Sequence, residues 1–243
     1  MEKKQKIAVL YHLFYEDTCE LICQELQPLL GFDTTFLFNI CSDTPDKKYI
    51  SALLRENFSS CFIMDTPNKG KDIGAKLSLL HLFLQLELEA DYILFLHDKK
   101  SLQALKSSTW KKELLKIIDR DNLNKIMQIF ETDNLCGIVA TKKYIIDEPV
   151  EDGRFTGNNG NILSSLLINY QIKPPSFAFV GGTMFWARTR PIREFFGSYS
   201  PLEIRKELED GNVLDNFSGT ITHSWERMLS WIITSKGFSI KGI

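Results

Sequence analysis

The sequence predicts an α/β fold, a single Rossmann-like domain spanning residues 1–243, with a central, mostly parallel sheet flanked by helices. Three observations lead there. Short, nearly continuous apolar runs recur along the chain, as expected of strands covered on both faces. Amphipathic stretches at helical spacing separate them, which makes repeated strand–helix–strand units. Several of the runs end in polar or charged clusters, and parallel sheets receive ligands at the carboxyl ends of their strands.

The elements follow in order. Residues 6–12 form the first strand, and residues 16–30 a helix with Glu16 and Asp17 favourably placed near its start. A second strand covers 33–40, and a helix after Pro45 covers 46–56. A third strand, 61–64, closes at Pro67–Gly70. A long helix runs from about Asp72 to Glu89, and a fourth strand from Asp91 to Leu96, ending at His97–Asp98. Residues 1–101 make a regular first half and 102–243 a less regular second half. In the second half, 110–118 and 122–130 are helical and 135–140 is a strand. Residues 147–161, rich in Gly, Asn and acidic side chains, form a loop suited either to a variable surface or to a lid. Phe177–Arg188 is a strand pair or kinked strand bending at Gly181–Gly182. An amphipathic helix, 222–235, and a short strand, 238–241, follow.

Composition excludes some classes. The formal net charge is -2, so no general attraction to nucleic acid is expected. The five cysteines lack metal-ligand spacing and read as reduced, mostly buried thiols of a cytoplasmic protein. The basic start leads into the first strand and not into a signal peptide. No apolar stretch reaches the roughly 20 residues a spanning helix needs, which leaves peripheral membrane association open.

Four segments can carry chemistry. Asn68-Lys-Gly-Lys-Asp-Ile-Gly74 joins a strand to a helix; its glycines admit a close ligand and the helix start favours an anion. His97-Asp-Lys-Lys-Ser101 leaves a buried strand. There Asp98 suits one divalent ion or a ribose hydroxyl, and Lys99 and Lys100 suit a diphosphate. Phe179–Arg188 places aromatics beside two glycines, fitting the apolar face of a sugar or base, with Arg188 for a phosphate. Glu226 opens a helix near His223 and is a candidate general base, with an ion pair to Arg227 as the structural alternative.

Taken together, Val9–Tyr15, Asn68–Gly74, Tyr92–Ser101, Trp110 with its helix, Val180–Arg188 and Thr222–Arg227 resemble the rhamnan synthesis protein F family of bacterial polysaccharide assembly. A looser similarity links their order to inverting transferases of the GT-A type. Those have an Asn-x-Gly turn, an Asp-x-Asp metal motif, a Gly-Gly segment and an acidic base opening a helix. Here Asn68-x-Gly70, His97-Asp-Lys99, Gly181-Gly182 and Glu226 fall in that order, with lysines where a second metal ligand is usual.

The resemblance implies a glycosyltransferase with a GT-A-like fold, residues 1–101 its nucleotide-binding half and 102–243 its acceptor-side half. Its donor is a nucleotide sugar, dTDP-rhamnose or a UDP-sugar, and its acceptor a growing polysaccharide or lipid-linked glycan at the inner face of the plasma membrane. Tyr11, His12, Asn68, Gly70 and Asp72 are expected to bind the nucleotide. His97, Asp98, Lys99 and Lys100 are expected at the diphosphate, with or without Mg²⁺ or Mn²⁺ on Asp98. Gly182, Trp186, Arg188 and His223 are expected on the acceptor side, and Glu226 as the base. A non-catalytic binding partner of a synthase complex and a retaining transferase are the alternatives.

Overall fold

The computed structural model describes residues 4–98, 113–214 and 217–243. Lys99, Lys100, Ser101 and Trp110 lie outside the described residues. The first half alternates as its apolar runs require: β1 (Lys6–Leu13), α1 (Cys19–Glu25), β2 (Asp33–Cys41), α2 (Lys47–Asn57), β3 (Cys61–Thr66), α3 (Lys71–Gln85) and β4 (Tyr92–His97). Then come α4 (Arg120–Thr132), β5 (Cys136–Ala140), β6 (Ile145–Asp147), β7 (Val150–Glu151), β8 (Arg154–Phe155) and α5 (Gly160–Asn169). The remainder is β9 (Ala178–Val180), β10 (Phe185–Arg188), α6 (Thr189–Ser198), α7 (Pro201–Glu207), α8 (Ile221–Thr234) and β11 (Ser239–Gly242).

One seven-stranded sheet, in the order β11-β5-β10-β4-β1-β2-β3, draws strands from both halves of the chain. Parallel pairing joins β1 to β2 and β4, β2 to β3, and β11 to β5; β10 runs antiparallel to both its neighbours. The α/β class with a mostly parallel sheet is therefore observed. From β1 the strand order grows outward in both directions, so the β1–β4 boundary is the switch point where such sheets open a crevice.

The two-residue period of β1 decides which side chains face which layer. Ile7, Val9, Tyr11 and Leu13 enter the core under α1, α2 and α4, with Ile22, Ile50, Leu54 and Ile126. Ala8 and Leu10 enter the other core, under α3, α6 and α8, with Leu77, Phe195, Trp225 and Trp231. His12 shares the parity of Ala8 and Leu10, and so emerges on the α3–α8 side. Tyr11 does not.

Several element boundaries differ from expectation. The stretch 16–30 is a seven-residue helix between two 3₁₀ turns, the second carrying Pro28, which has no N–H to continue an α-helix. The helix expected to reach Glu89 stops at Gln85, and Glu87 sits at φ 51°. Residues 177–188 are two strands in different sheets: β9 pairs with β6, while β10 inserts into the main sheet. The loop expected at 147–161 holds the β7–β8 pair and the first turn of α5. No helix among the described residues is long and apolar enough to cross a membrane.

Candidate functional site

A cavity of about 450 Å³ opens at the β1–β4 boundary. The ends of the two strands supply His12 and His97, which are partners in register. Asp72 comes from the first turn of α3, Gly182 and Thr183 from the β9–β10 turn, and Thr222, His223 and Glu226 from the start of α8. Asn212 and Leu214 form part of its rim.

His12 is 6% exposed. Asn39 Nδ2 lies 3.0 Å from its Nδ1, and Asn39 Oδ1 accepts from the Thr66 hydroxyl at 3.0 Å. The Asn39 carbonyl oxygen lies 3.3 Å from the same Nδ1, so this nitrogen can accept from the Asn39 amide or donate to its carbonyl. Burial, only partly offset by Asp72, lowers its pKa to about 4. His12 is a neutral donor at neutral pH.

Behind this face lies a cluster centred on Lys76, in sequence no more than one residue of an amphipathic helix. Lys76 is fully buried, at 0% exposure. Its ammonium donates to Asp72 Oδ2 at 2.8 Å and to the Thr183 hydroxyl, and lies 3.1 Å from His97 Nδ1. Thr183 in turn donates to Asp72 Oδ2 at 2.5 Å. Three donors meet three acceptors, the condition for keeping a charge out of water. Burial would raise the Asp72 carboxyl, but the Lys76 ammonium beside it, with the hydrogen bonds from Lys76 and Thr183, holds it well below the usual carboxylate range. Burial also pulls the Lys76 ammonium down, against the pull of Asp72. The i, i+4 spacing of Asp72 and Lys76 on α3 was the one trace of this pair in the sequence.

Asp98 lies at the cavity edge with a different employment. Its Oδ1 accepts from Phe14 N–H at 2.9 Å, and its Oδ2 from Tyr15 N–H at 2.7 Å and the Thr18 hydroxyl at 3.0 Å. Its carboxylate closes the loop after β1. Among the described residues no group of three or more His, Cys, Asp or Glu is disposed to hold a metal ion.

Glu226 Oε1 accepts from Gly182 N–H at 2.6 Å, and Oε2 from Arg227 Nη1 at 2.9 Å. Arg227 also reaches Glu148 Oε2 at 2.8 Å and stacks on Phe179. Each Glu226 oxygen keeps a second lone-pair direction for a ligand. The φ of 78° at Gly182 aims its N–H at that carboxylate, a backbone shape that a side chain disfavours. Nearby, Thr220 caps α8 by accepting from His223 N–H, and its hydroxyl lies 2.5 Å from His223 Nδ1.

A short strap joins the two sides of the cavity. The Glu209 carbonyl accepts from Gly70 N–H at 2.7 Å, and Gly211 N–H donates to the Asn68 carbonyl at 2.8 Å. The Glu209 carboxylate accepts from Ile221 and Thr222 at the start of α8. Burial opposes its ionisation, but the bonds from Thr222 and Ile221 hold its pKa below the usual carboxylate value.

Five expected site residues lie apart from the cavity. Tyr11 is buried in the opposite core, with no partner for its hydroxyl among the described residues. Asn68 bonds Asn212 across the strap at 3.1 Å, and so acts on the rim from behind. Gly70 caps α3 at φ 71°, where a Cβ would lie 2.2 Å from Leu208. Trp186 is fully buried, its indole N–H donating to the Ile117 carbonyl at 2.9 Å. Arg188 pairs in register with Tyr92, at the other end of β4 from His97. It donates to the Cys136, Phe130 and Asp133 carbonyls. Neither residue can meet an acceptor at the cavity, because the antiparallel course of β10 carries both away from it.

The model of one protein family, described as rhamnan synthesis protein F, matches residues 1–238. The chain belongs to the rhamnan synthesis protein F family. A search of curated proteins finds no match. Among solved structures, this rhamnan synthesis protein F family member is similar to mouse xyloside xylosyltransferase 1 in its apo form. The two are 9% identical, over 98% of this chain and 85% of that one, with a TM-score of 0.38. A score that low carries no argument about function. The cavity itself, together with the family, is what a functional reading must explain.

Proposed function

We propose that this chain is a nucleotide-sugar glycosyltransferase that extends a cell-surface polysaccharide or lipid-linked glycan, with dTDP-rhamnose favoured over UDP-sugars as donor. The observation that carries the reading is the meeting of donors and carboxylates at one switch-point cavity. His12 and His97 stand at the strand ends, Asp72 opens α3, and Glu226 opens α8. A member of a rhamnan synthesis family needs such a place to hold an activated sugar between a phosphate-binding side and a base.

In this reading the nucleotide lies along the strand ends and the N-terminus of α3. The imidazole N–H groups face the diphosphate, and Asp72 accepts from a hydroxyl. Glu226 takes the proton of the acceptor hydroxyl as its oxygen attacks the anomeric carbon. The bond from that carbon to the phosphate oxygen breaks, its electron pair leaves with the nucleoside diphosphate, and the configuration inverts. No step is assigned to a divalent ion. The protein works at the inner face of the plasma membrane, where lipid-linked acceptors are built.

One observation favours a second reading, a non-catalytic binding partner of a synthase. The Glu226 carboxylate is held by Gly182 and Arg227 as a structural ion pair would be. Incubation with dTDP-rhamnose and UDP-sugars, followed for transfer or slow hydrolysis, separates the two. Glu226→Gln is expected to lower turnover by at least about a hundredfold while donor binding stays within about twofold. Turnover by the variant at the wild-type rate removes Glu226 as the base.

A further inference from the structure

We propose that Lys76 is a positioning residue. From behind the cavity wall it fixes His97 as an Nε2–H donor and Asp72 as an oriented acceptor. The placement of His97 and Asp72 rests on geometry alone; its consequence for ligand binding rests on the donor-site reading above.

The argument starts from acceptor counting. A lysine ammonium has three protons and no lone pair, so every short contact it makes must be to an acceptor. Lys76 has no access to water and makes three such contacts: Asp72 Oδ2, Thr183 Oγ1 and His97 Nδ1. At 3.1 Å from an ammonium, His97 Nδ1 must offer a lone pair. Its ring proton is then on Nε2. The alternative, an Nδ1–H directed at Asp72 Oδ2, has a longer path of 3.6 Å and would face the ammonium with a proton.

The same ammonium fixes Asp72. Oδ2 receives both Lys76 and the Thr183 hydroxyl, which orients the carboxylate of a residue that lines the cavity and leaves Oδ1 out of these bonds. Thr183, at φ 51° in the turn that also presents Gly182, is held by the same group. One buried cation therefore sets a donor, an acceptor and a turn on three separate elements: β4, α3 and the β9–β10 connection. His12, its partner in register, differs: its Nδ1 lies 3.0 Å from Asn39 Nδ2 and 3.3 Å from the Asn39 carbonyl oxygen, so only His97 is held in one form by a group that can do nothing but donate. A rigid neutral donor costs little to organise when a ligand arrives.

The chain has only four histidines, so the ring nitrogens can be followed individually by ¹⁵N-detected NMR of the full-length protein. The expected result at neutral pH is a neutral His97 protonated on Nε2. In Lys76→Met, His97 is expected to move its proton to Nδ1, toward Asp72. The affinity for UDP or dTDP, read by calorimetry, is expected to fall at least about tenfold. Asp72→Asn keeps the ammonium and is expected to keep the Nε2–H form, which tests the idea even if Lys76→Met fails to fold.

An Nδ1–H or doubly protonated His97 in the wild type overturns the proposal. So does an Nε2–H form that survives in Lys76→Met, or a change of form in Asp72→Asn. Unchanged affinity in a Lys76→Met protein whose tautomer has switched overturns the link to binding. A wild-type protein that binds neither nucleotide refutes the donor-site reading and leaves the tautomer result standing on its own.

Discussion

Arg188 shows how a residue type can mislead when its position is known only along the chain. An arginine after two glycines suits a phosphate, but in the fold its guanidinium serves carbonyls. Its Nε donates to Cys136 at 2.7 Å and its Nη2 to Phe130 at 2.6 Å, while the Tyr92 and Phe130 rings lie within 5.8 Å. Lysine cannot reproduce a planar fork with several fixed donors. Arg188→Lys is expected to cost about 2 kcal/mol of stability through the unpaired carbonyls, seen as a lower urea midpoint, with nucleotide affinity unchanged. A selective loss of affinity in that variant would return Arg188 to the binding site. Lys76 is the opposite case: bland in sequence among leucines, it proves to be the charge around which the cavity wall is organised.

Among the elements, α3 bears most directly on the site, because its first turn delivers Asp72 and its second delivers Lys76. That turn is packed without clearance: a Cβ on Gly74 would lie 1.7 Å from the Lys69 carbonyl oxygen. Gly74→Ala must push the Asn68–Lys71 turn off the helix. It is expected to cost about 3 kcal/mol or more, with a parallel loss of nucleotide binding in calorimetry. Stability close to wild type would show that the turn yields easily.

The first half of the chain was legible because both signals agree there: apolar runs of strand length alternate with helical periods, and each parallel strand needs its crossover. The second half was less so. β10 runs antiparallel between β4 and β5, and nothing in Phe177–Arg188 distinguishes one bent strand from two strands in separate sheets. Helix α5 opens on Gly160 and α7 on Pro201, while α6 starts at Thr189 directly after β10 and carries Pro191 in its first turn, so each has a glycine or proline, the usual mark of a connection, in its first residues. For the site, Asp72, His97, Gly182, His223 and Glu226 could be found from strand ends and helix starts, which the backbone sets locally. Lys76 and Thr183 could not, because their meaning comes from contacts 111 residues apart for Asp72 and Thr183, and 107 for Lys76 and Thr183.

On the scale of the whole molecule, the buried titratable groups set how stability responds to acid. His12, ordinarily at 6.5, titrates at about 4 in the fold because of burial. The unfolded chain therefore takes up a proton between those values while the folded chain does not. Stability must fall as pH drops through that window, by on the order of 3 kcal/mol. Asp72 and Glu209 are depressed in the fold, so their contribution holds above the ordinary carboxylate range and is lost below it. Acid unfolding is thus expected to begin with His12 and to be completed by the carboxylates. Urea titrations from neutral pH to about pH 4 should show the decline, and His12→Asn should flatten its upper part. An equal slope in that variant would assign the decline to other groups.

Glu209 has one further consequence. Its carbonyl grips the cap of α3 and its carboxylate grips the first turn of α8, so one residue holds both jaws of the cleft. Asp72 and Glu226 stand on those jaws. Position 209 therefore works like one screw that bears on both arms of a caliper: a change there, outside the cavity, registers on both measuring faces at once.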